Sequence, residues 1–340
     1  SLKFPLIPPR KPMQTIFLSR ISLCFALVGT GLLSGCSDSK TDPSTPGEAS
    51  ATASESIRID GSSTVFPISM AVAEEFGDSH PDVKTPVVSA SGTSGGMKQF
   101  TTREIDICDA SRAMKDPEKE ACTANKVEYL EFTVAFDGMA VVVNPANDWC
   151  DCITVEQLKS IWRPESDETV TKWSDVNSDW PDEELKLYGP GTDSGTFEYF
   201  TEAICGESRA SRSDYTASEN DNALVRGVAA DKGALGYFGF AYYAENKERL
   251  KLLSVKNGDD CVEPSEKTVR DGTYFPLSRP LFIYVNKDSL KRPEVVEFIT
   301  YYLENAGRLS KEVGYVPITD EVQENNTTLL KEALDSWKKK

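Results

Sequence analysis

Three short segments of this 340-residue chain carry the same chemistry. Gly61-Ser-Ser-Thr-Val-Phe-Pro67, Ser91-Gly-Thr-Ser-Gly-Gly96 and Gly189-Pro-Gly-Thr-Asp-Ser-Gly-Thr196 each set glycines and hydroxyl residues just ahead of a helical run. Glycine lets backbone N–H groups approach closely, Ser and Thr add hydroxyl donors, and a helix N-terminus presents unpaired N–H groups with a partial positive charge. That combination suits an oxyanion. A single Ser/Gly turn before a helix is ordinarily just an N-cap, so the inference rests on three turns converging with a cation. Asp106-Ile-Cys-Asp-Ala-Ser-Arg112 supplies the cation, a strand ending in Ser111 and Arg112, whose planar fork suits oxyanions. The plainer role for Arg112 is a salt bridge to a nearby acid.

Two fragments imitate catalytic nucleophiles. Gly92-Thr-Ser-Gly-Gly96 fits G-x-S-x-G, but that fold needs a His after the Ser, and the only His is His80. Thr192-Asp-Ser-Gly195 resembles a serine-protease loop, yet His80 lies in the polar turn Asp78-Ser-His-Pro-Asp82, where a surface role is expected. One His and the tight Cys150-Asp-Cys152 spacing also argue against a metal site. No cofactor or metal is expected, and the chain is read as a non-enzyme. The readings ranked below it are a secreted phosphatase with a phosphate pocket and a structural or adhesive surface lipoprotein.

The elements that must position these turns form an α/β pattern. Ile57–Asp60 alternates as a strand and Pro67–Phe76 reads as a helix with Pro in its first turn. Pro86–Ala90 and Met97–Thr102 repeat the unit, as do Leu185–Tyr188 and Phe197–Ile204. In such folds ligands bind at strand-to-helix turns. About 280 body residues exceed what one core ordinarily serves, which predicts two lobes. Tyr129–Val143 crosses between them and Pro280–Val285 crosses back, with the helices Glu294–Asn305 and Glu321–Trp337 rejoining the first lobe. The expected division is residues 57–135 plus 275–337 for lobe 1 and 136–274 for lobe 2. Phe66, Phe197 and Tyr237 are either cleft walls or core.

Lys and Arg number 37 against 54 Asp and Glu, a net charge of −17. Such an acidic body repels nucleic acid and anionic lipid at long range, so no nucleic-acid partner is expected. A small anion can still bind through short contacts, because salt screens the overall field within about 10 Å.

Residues 1–35 contain basic residues and no acid, and the uncharged run Ile21–Leu33 suits a signal-peptide core but is too short to span a bilayer. Leu33-Ser-Gly-Cys36 resembles a bacterial lipobox, which makes Cys36 the expected lipidation site. Met13 is read as the translation start. Residues 36–56 hold almost nothing that can be buried and are expected to tether the body to a bacterial membrane, periplasmic or at the cell surface. Cys108, Cys122, Cys150, Cys152, Cys205 and Cys261 remain, and an even number in an exported body predicts disulfides, with 15 pairings open.

The three turns, Asp106–Arg112 and Gly233-Ala-Leu-Gly-Tyr-Phe-Gly239 together closely resemble the phosphate-binding proteins of Pst-type ABC transporters, in order and over nearly the whole body. The resemblance implies a type II periplasmic-binding-protein-like fold, two lobes closing on a hinge around inorganic phosphate, and delivery to permease subunits by a monomer. Ser63, Thr64 and the Val65 backbone match the family's first phosphate loop, Thr93 and Ser94 its second, and Ser194, Gly195 and Thr196 its third. Where the best-known branch has an Asp this chain has Arg112, and Pro190 stands where that branch has an Arg. The proton acceptor is therefore reassigned among Asp193, Asp221 and Asp109, of which Asp193 could instead orient Arg112. An acceptor matters because sulfate would set an unprotonated oxygen against it, at a cost of roughly 1–3 kcal/mol.

Overall fold

The computed structural model describes residues 55–338. The expected leader, Cys36 and the expected tether up to residue 54 lie outside the described residues. The first part contains β1 (Arg58–Gly61), α1 (Phe66–Ser79), β2 (Val87–Val88), α2 (Thr93–Thr101), β3 (Ile107–Ala110) and α3 (Asp116–Ala124). After the long β4 (Tyr129–Val143) come β5 (Lys186–Gly189), α4 (Gly195–Phe200), β6 (Thr216–Ala217), α5 (Asp221–Ala230) and β7 (Ala234–Gly239). β8 (Ser278–Asn286), α6 (Pro293–Glu312) and α7 (Asp320–Lys338) follow.

Among the described residues the main sheet runs β2-β1-β3-β8-β4-β7-β5-β6. Its two ends are parallel, as strand–helix–strand connections require: β1 pairs β2 and β3, and β5 pairs β6 and β7. The centre is antiparallel, with β8 between β3 and β4, and β4 against β7.

β4 serves both halves. Residues 129–138 pair with β8, and Met139–Val143 pair with β7. Its sequence shows the change of environment: Leu130 and Phe132 are buried between more open neighbours, whereas every residue from Asp137 onward is buried.

The apolar core divides accordingly. One cluster joins Ile59, Val72 and Phe76 to Phe132, Leu281, Phe298 and Tyr302, and a smaller one gathers Met97, Phe100, Cys108, Cys122 and Tyr284. A third packs Val141, Trp162, Trp173, Phe200, Val228 and Tyr237. This is the two-lobed arrangement, and β4 belongs to both parts, while Leu281, Ile283 and Val285 of β8 pack in the first. Phe197 and Tyr237 are 3% and 0% exposed, which makes them core rather than cleft wall.

The structure differs locally from the sequence pattern at two places. α2 begins at Thr93, inside the turn, because Gly92 at φ +82° reverses the backbone just before it. The run after α4 widens into a π-helical turn over Thr201–Cys205.

The disulfide expectation is corrected in number. Cys152 bonds to Cys261, joining strands 152–154 and 260–262 of a small three-stranded sheet. Cys108, Cys122, Cys150 and Cys205 are free thiols. Burial pushes Cys205 up to about 11 and Cys150 up to about 12, so these thiols stay protonated. Among the described residues no helix is long and apolar enough to cross a membrane.

Candidate oxyanion-binding site

The first two turns are tied together through Asp60 at the end of β1. Its Oδ1 accepts the N–H of Gly61 at 2.7 Å and of Ser91 at 2.8 Å, and Oδ2 accepts Gln99 Nε2 at 2.6 Å. Burial pushes the Asp60 carboxyl up, but these hydrogen bonds outweigh it and hold the group below its ordinary value. Gly61, at φ +146°, lies so close to β3 that a Cβ there would be 2.0 Å from the Asp109 carbonyl oxygen. The Ser62 N–H donates to that same carbonyl at 2.9 Å. Thr93 accepts the Ser111 N–H at 3.2 Å, bringing the Ser111-Arg112 corner against the second turn.

The third turn comes from the other side of the sheet and meets the first. A Cβ on Gly195 would lie 2.9 Å from Thr64 Oγ1. Ser194 caps α4 by accepting the Thr196 N–H at 3.2 Å. Neither α1 nor α2 has a side-chain cap; in α1 the Phe66 N–H donates to the Ser62 carbonyl and the Ile68 N–H to the Val65 carbonyl, both at 2.9 Å, and Pro67 has no N–H.

Between these turns lies a cleft of about 930 Å³. Ser63, Thr64, Thr93, Ser94, Ser111, Arg112 and Gly195 all line it. Val65, Ser194 and Thr196 do not, though each is next in sequence to a lining residue.

Arg112 is held in a fork. Its Nη1 and Nη2 donate to Glu118 Oε2 and Oε1 at 2.9 and 2.8 Å, and Nη2 also reaches Ser94 Oγ at 3.0 Å. Burial raises the Glu118 carboxyl, but Arg112 and the Lys115 N–H overcome it and leave Glu118 below its usual value.

None of the three carboxylates expected as proton acceptors lines the cleft. Asp109 is completely buried behind the first turn, where Oδ1 accepts from Ser69 Oγ at 2.9 Å and Oδ2 has no partner. Burial pushes it up to about 8 despite the Ser69 hydrogen bond. Asp193 is exposed, and Asp221 begins α5, where burial and the charge of Glu219 push it up to about 6. The carboxylates that do line the cleft are Glu198 and Glu202 on the helix after the third turn. Glu198 Oε2 accepts from Ser63 Oγ at 3.0 Å, and Oε1 pairs with Arg209.

Sequence reasoning also missed Arg279, the one charged residue of β8. It sits on β8 directly opposite Asp137 on β4, with Nε and Nη2 both 3.2 Å from Asp137 Oδ2. Asp137 is 2% exposed, and burial raises its carboxyl against the pull of Arg279. The detectable signal was a lone Arg in the run Leu277–Val285.

Among the described residues no group of three or more His, Cys, Asp or Glu side chains could hold a metal ion. His80 stacks on Phe76 at 4.2 Å and lies 3.5 Å from Glu297, in contacts of its own surface rather than the cleft.

A two-lobed α/β body whose helix N-termini and hydroxyls face one cleft defines a substrate-binding protein. Residues 46–306 match the PBP superfamily domain, and the chain belongs to that superfamily. It is 46% identical over 305 residues to protein SphX of Synechocystis sp., covering 89% of this chain and 87% of that protein. It is 38% identical over 285 residues to phosphate-binding protein PstS of Staphylococcus aureus, covering 82% and 84%. The crystal structure of a possible phosphate binding protein from Planctomyces limnophilus is 50% identical with a TM-score of 0.79, covering 83% of this chain and all of that one.

Proposed function

We propose that this chain is an exported, lipid-anchored receptor that captures inorganic phosphate in the cleft and delivers it to the permease subunits of an ABC transporter. The observation that carries the reading is the meeting of three donor-rich turns, two from one half of the sheet and one from the other, around a cleft that Arg112 also lines. The relatives named as phosphate-binding proteins support the choice of ligand.

In this reading Ser63, Thr64 and Val65, Thr93 and Ser94, Ser111 and Arg112, and Ser194, Gly195 and Thr196 surround one desolvated phosphate. The turns supply backbone and hydroxyl donors, and Arg112 offsets charge. Glu198, already accepting from Ser63 inside the cleft, is the carboxylate that takes the phosphate proton. Residues 57–135 with 275–337 and residues 136–274 act as the two lobes, and bending of β4 and β8 closes them. Binding involves no covalent change, the protein works as a monomer, and Cys36 carries the lipid.

Calorimetry on ligand-stripped protein tests this, titrating phosphate and then sulfate, with p-nitrophenyl phosphate turnover assayed on the same sample. One-to-one phosphate binding with weak sulfate binding and no turnover is expected. Absence of phosphate binding would refute the reading, and turnover would favour a phosphatase.

A further inference from the structure

We infer that Arg279 is a second anion-binding cation of the cleft and that it joins the bound phosphate to both lobes at once. This rests on the phosphate reading above, but its grounds are geometric.

The two cleft arginines differ in what they have left to offer. Both terminal nitrogens of Arg112 are committed, to Glu118 twice, to Ser94 Oγ and to the Ala113 carbonyl. Arg279 lines the same cleft with its side chain 14% exposed. Its Nε and Nη2 are taken by Asp137 and Thr64, and among the described residues Nη1 makes no hydrogen bond. A guanidinium held on one edge and open on the other is arranged to receive an oxyanion.

Thr64 is drawn into the same arrangement. Its Oγ1 accepts from Arg279 Nη2 at 2.9 Å, which leaves the hydroxyl proton to point away from the guanidinium. Thr64 lines the cleft, so that proton is available to a ligand oxygen. Arg279 thus contributes a charge-assisted donor of its own and orients a neutral one.

The position of Arg279 explains why this serves closure. The guanidinium carbon lies 3.6 Å from the ring centre of Tyr199 on α4, whose neighbours belong to the core of the β4–β7 side. Thr64 follows β1 and precedes Val65, a residue of the opposite core. Tyr199 is itself held by donating to the Pro276 carbonyl at 2.6 Å. One side chain therefore touches the first turn, the third-turn helix and the crossing strand, and an anion on Nη1 would be linked to all three.

Removing the arginine alone would strand the buried Asp137 charge, so the test replaces the pair. Asp137→Asn/Arg279→Gln keeps two hydrogen-bonding side chains and no net charge change. Wild-type protein is titrated first; if it binds no phosphate, both this inference and the phosphate reading fall. If it does bind, the double variant is expected to keep its thermal midpoint within a few degrees and to lose at least about 100-fold in phosphate affinity. Its preference for the phosphate dianion over the monoanion, read from Kd against pH, should shrink as well, a change that a purely structural role of Arg279 would not produce. Wild-type affinity with an unchanged pH profile would overturn the inference and leave the phosphate reading intact. Should the double variant not fold, Arg279→Lys decides: a loss of about tenfold or more supports the role, and an unchanged Kd refutes it.

Discussion

Glu118 grips Arg112 through both terminal guanidinium nitrogens, at 2.8 and 2.9 Å, while also accepting the Lys115 N–H at 2.8 Å. The pair fixes the direction of the arginine fork toward Ser94. It also means that each cleft arginine comes with its own carboxylate, Glu118 for Arg112 and Asp137 for Arg279. The cleft therefore offers directed donors more than net charge, which suits a protein with an overall charge of −17.

Glu118→Gln keeps one hydrogen bond to Arg112 and removes the bidentate clamp. Phosphate affinity is expected to fall about tenfold, equivalent to about 1.4 kcal/mol. Calorimetry reads this directly, and a Kd within twofold of wild type would show that Ser94 and the backbone suffice to aim Arg112.

Glu198→Gln turns the proposed acceptor into a group that can donate. The variant is expected to bind phosphate more weakly and sulfate more strongly, so that the ratio of the two dissociation constants shrinks by tenfold or more, about 1.4 kcal/mol. Competition titration with sulfate measures it. An unaltered ratio would exclude Glu198 and direct attention to Glu202.

Gly61→Ala should be among the most damaging small substitutions. The new methyl would meet the Asp109 carbonyl at 2.0 Å, on a backbone at φ +146° that other residues rarely adopt. A loss of roughly 3 kcal/mol or more is expected from the clash and the strained backbone together. The midpoint of urea unfolding reports it.

Asp109 predicts a pH dependence of stability. Burial, with the Asp60 charge adding and the Ser69 hydrogen bond opposing, places its carboxyl at about 8 in the folded chain, against an ordinary value of 3.8. Between those values the folded state keeps a proton that the unfolded state has lost. This group's contribution is therefore complete in acid, declines as pH rises from about 4 to about 8, and levels off above. Thermal melts across that range should fall less steeply for Asp109→Asn than for wild type. Parallel curves would show that Asp109 ionises normally.

The Cys152–Cys261 bond spans 109 residues of chain away from the cleft lining. Cys261→Ser is expected to lower stability by about 2–5 kcal/mol while leaving phosphate affinity within twofold at 25 °C. Urea unfolding and calorimetry on the same preparation separate the two effects.

Much of the fold was legible because it is written locally. The alternation at Ile57–Asp60, the Pro at the start of α1 and the long apolar run of β4 each follow from neighbouring residues, and the structure has strands and helices at those places. The donor turns were legible for the same reason, since three Gly/Ser turns ahead of helices repeat within the chain, although any one of them alone reads as an N-cap. The cysteines were less so. Six of them in the body predicted several bridges, but which sulfurs come within reach depends on how strands 152–154 and 260–262 lie in the small sheet, and one bridge is what results.

The sequence by itself determined an α/β body, three anion-ready turns and one cation at the end of a strand, because backbone freedom, helix capping and hydrophobic period act over a few residues. Only the tertiary structure decided which charges share the cleft. Glu198 and Glu202 enter it, while Asp109, Asp193 and Asp221 stay out. Arg279, some 215 residues beyond Thr64, reaches that hydroxyl at 2.9 Å because β8 runs antiparallel to β4 and sets it opposite Asp137. The physical reason is range: a turn is shaped by its own residues, whereas an ion pair across a sheet exists only once strands far apart in the chain have chosen their register.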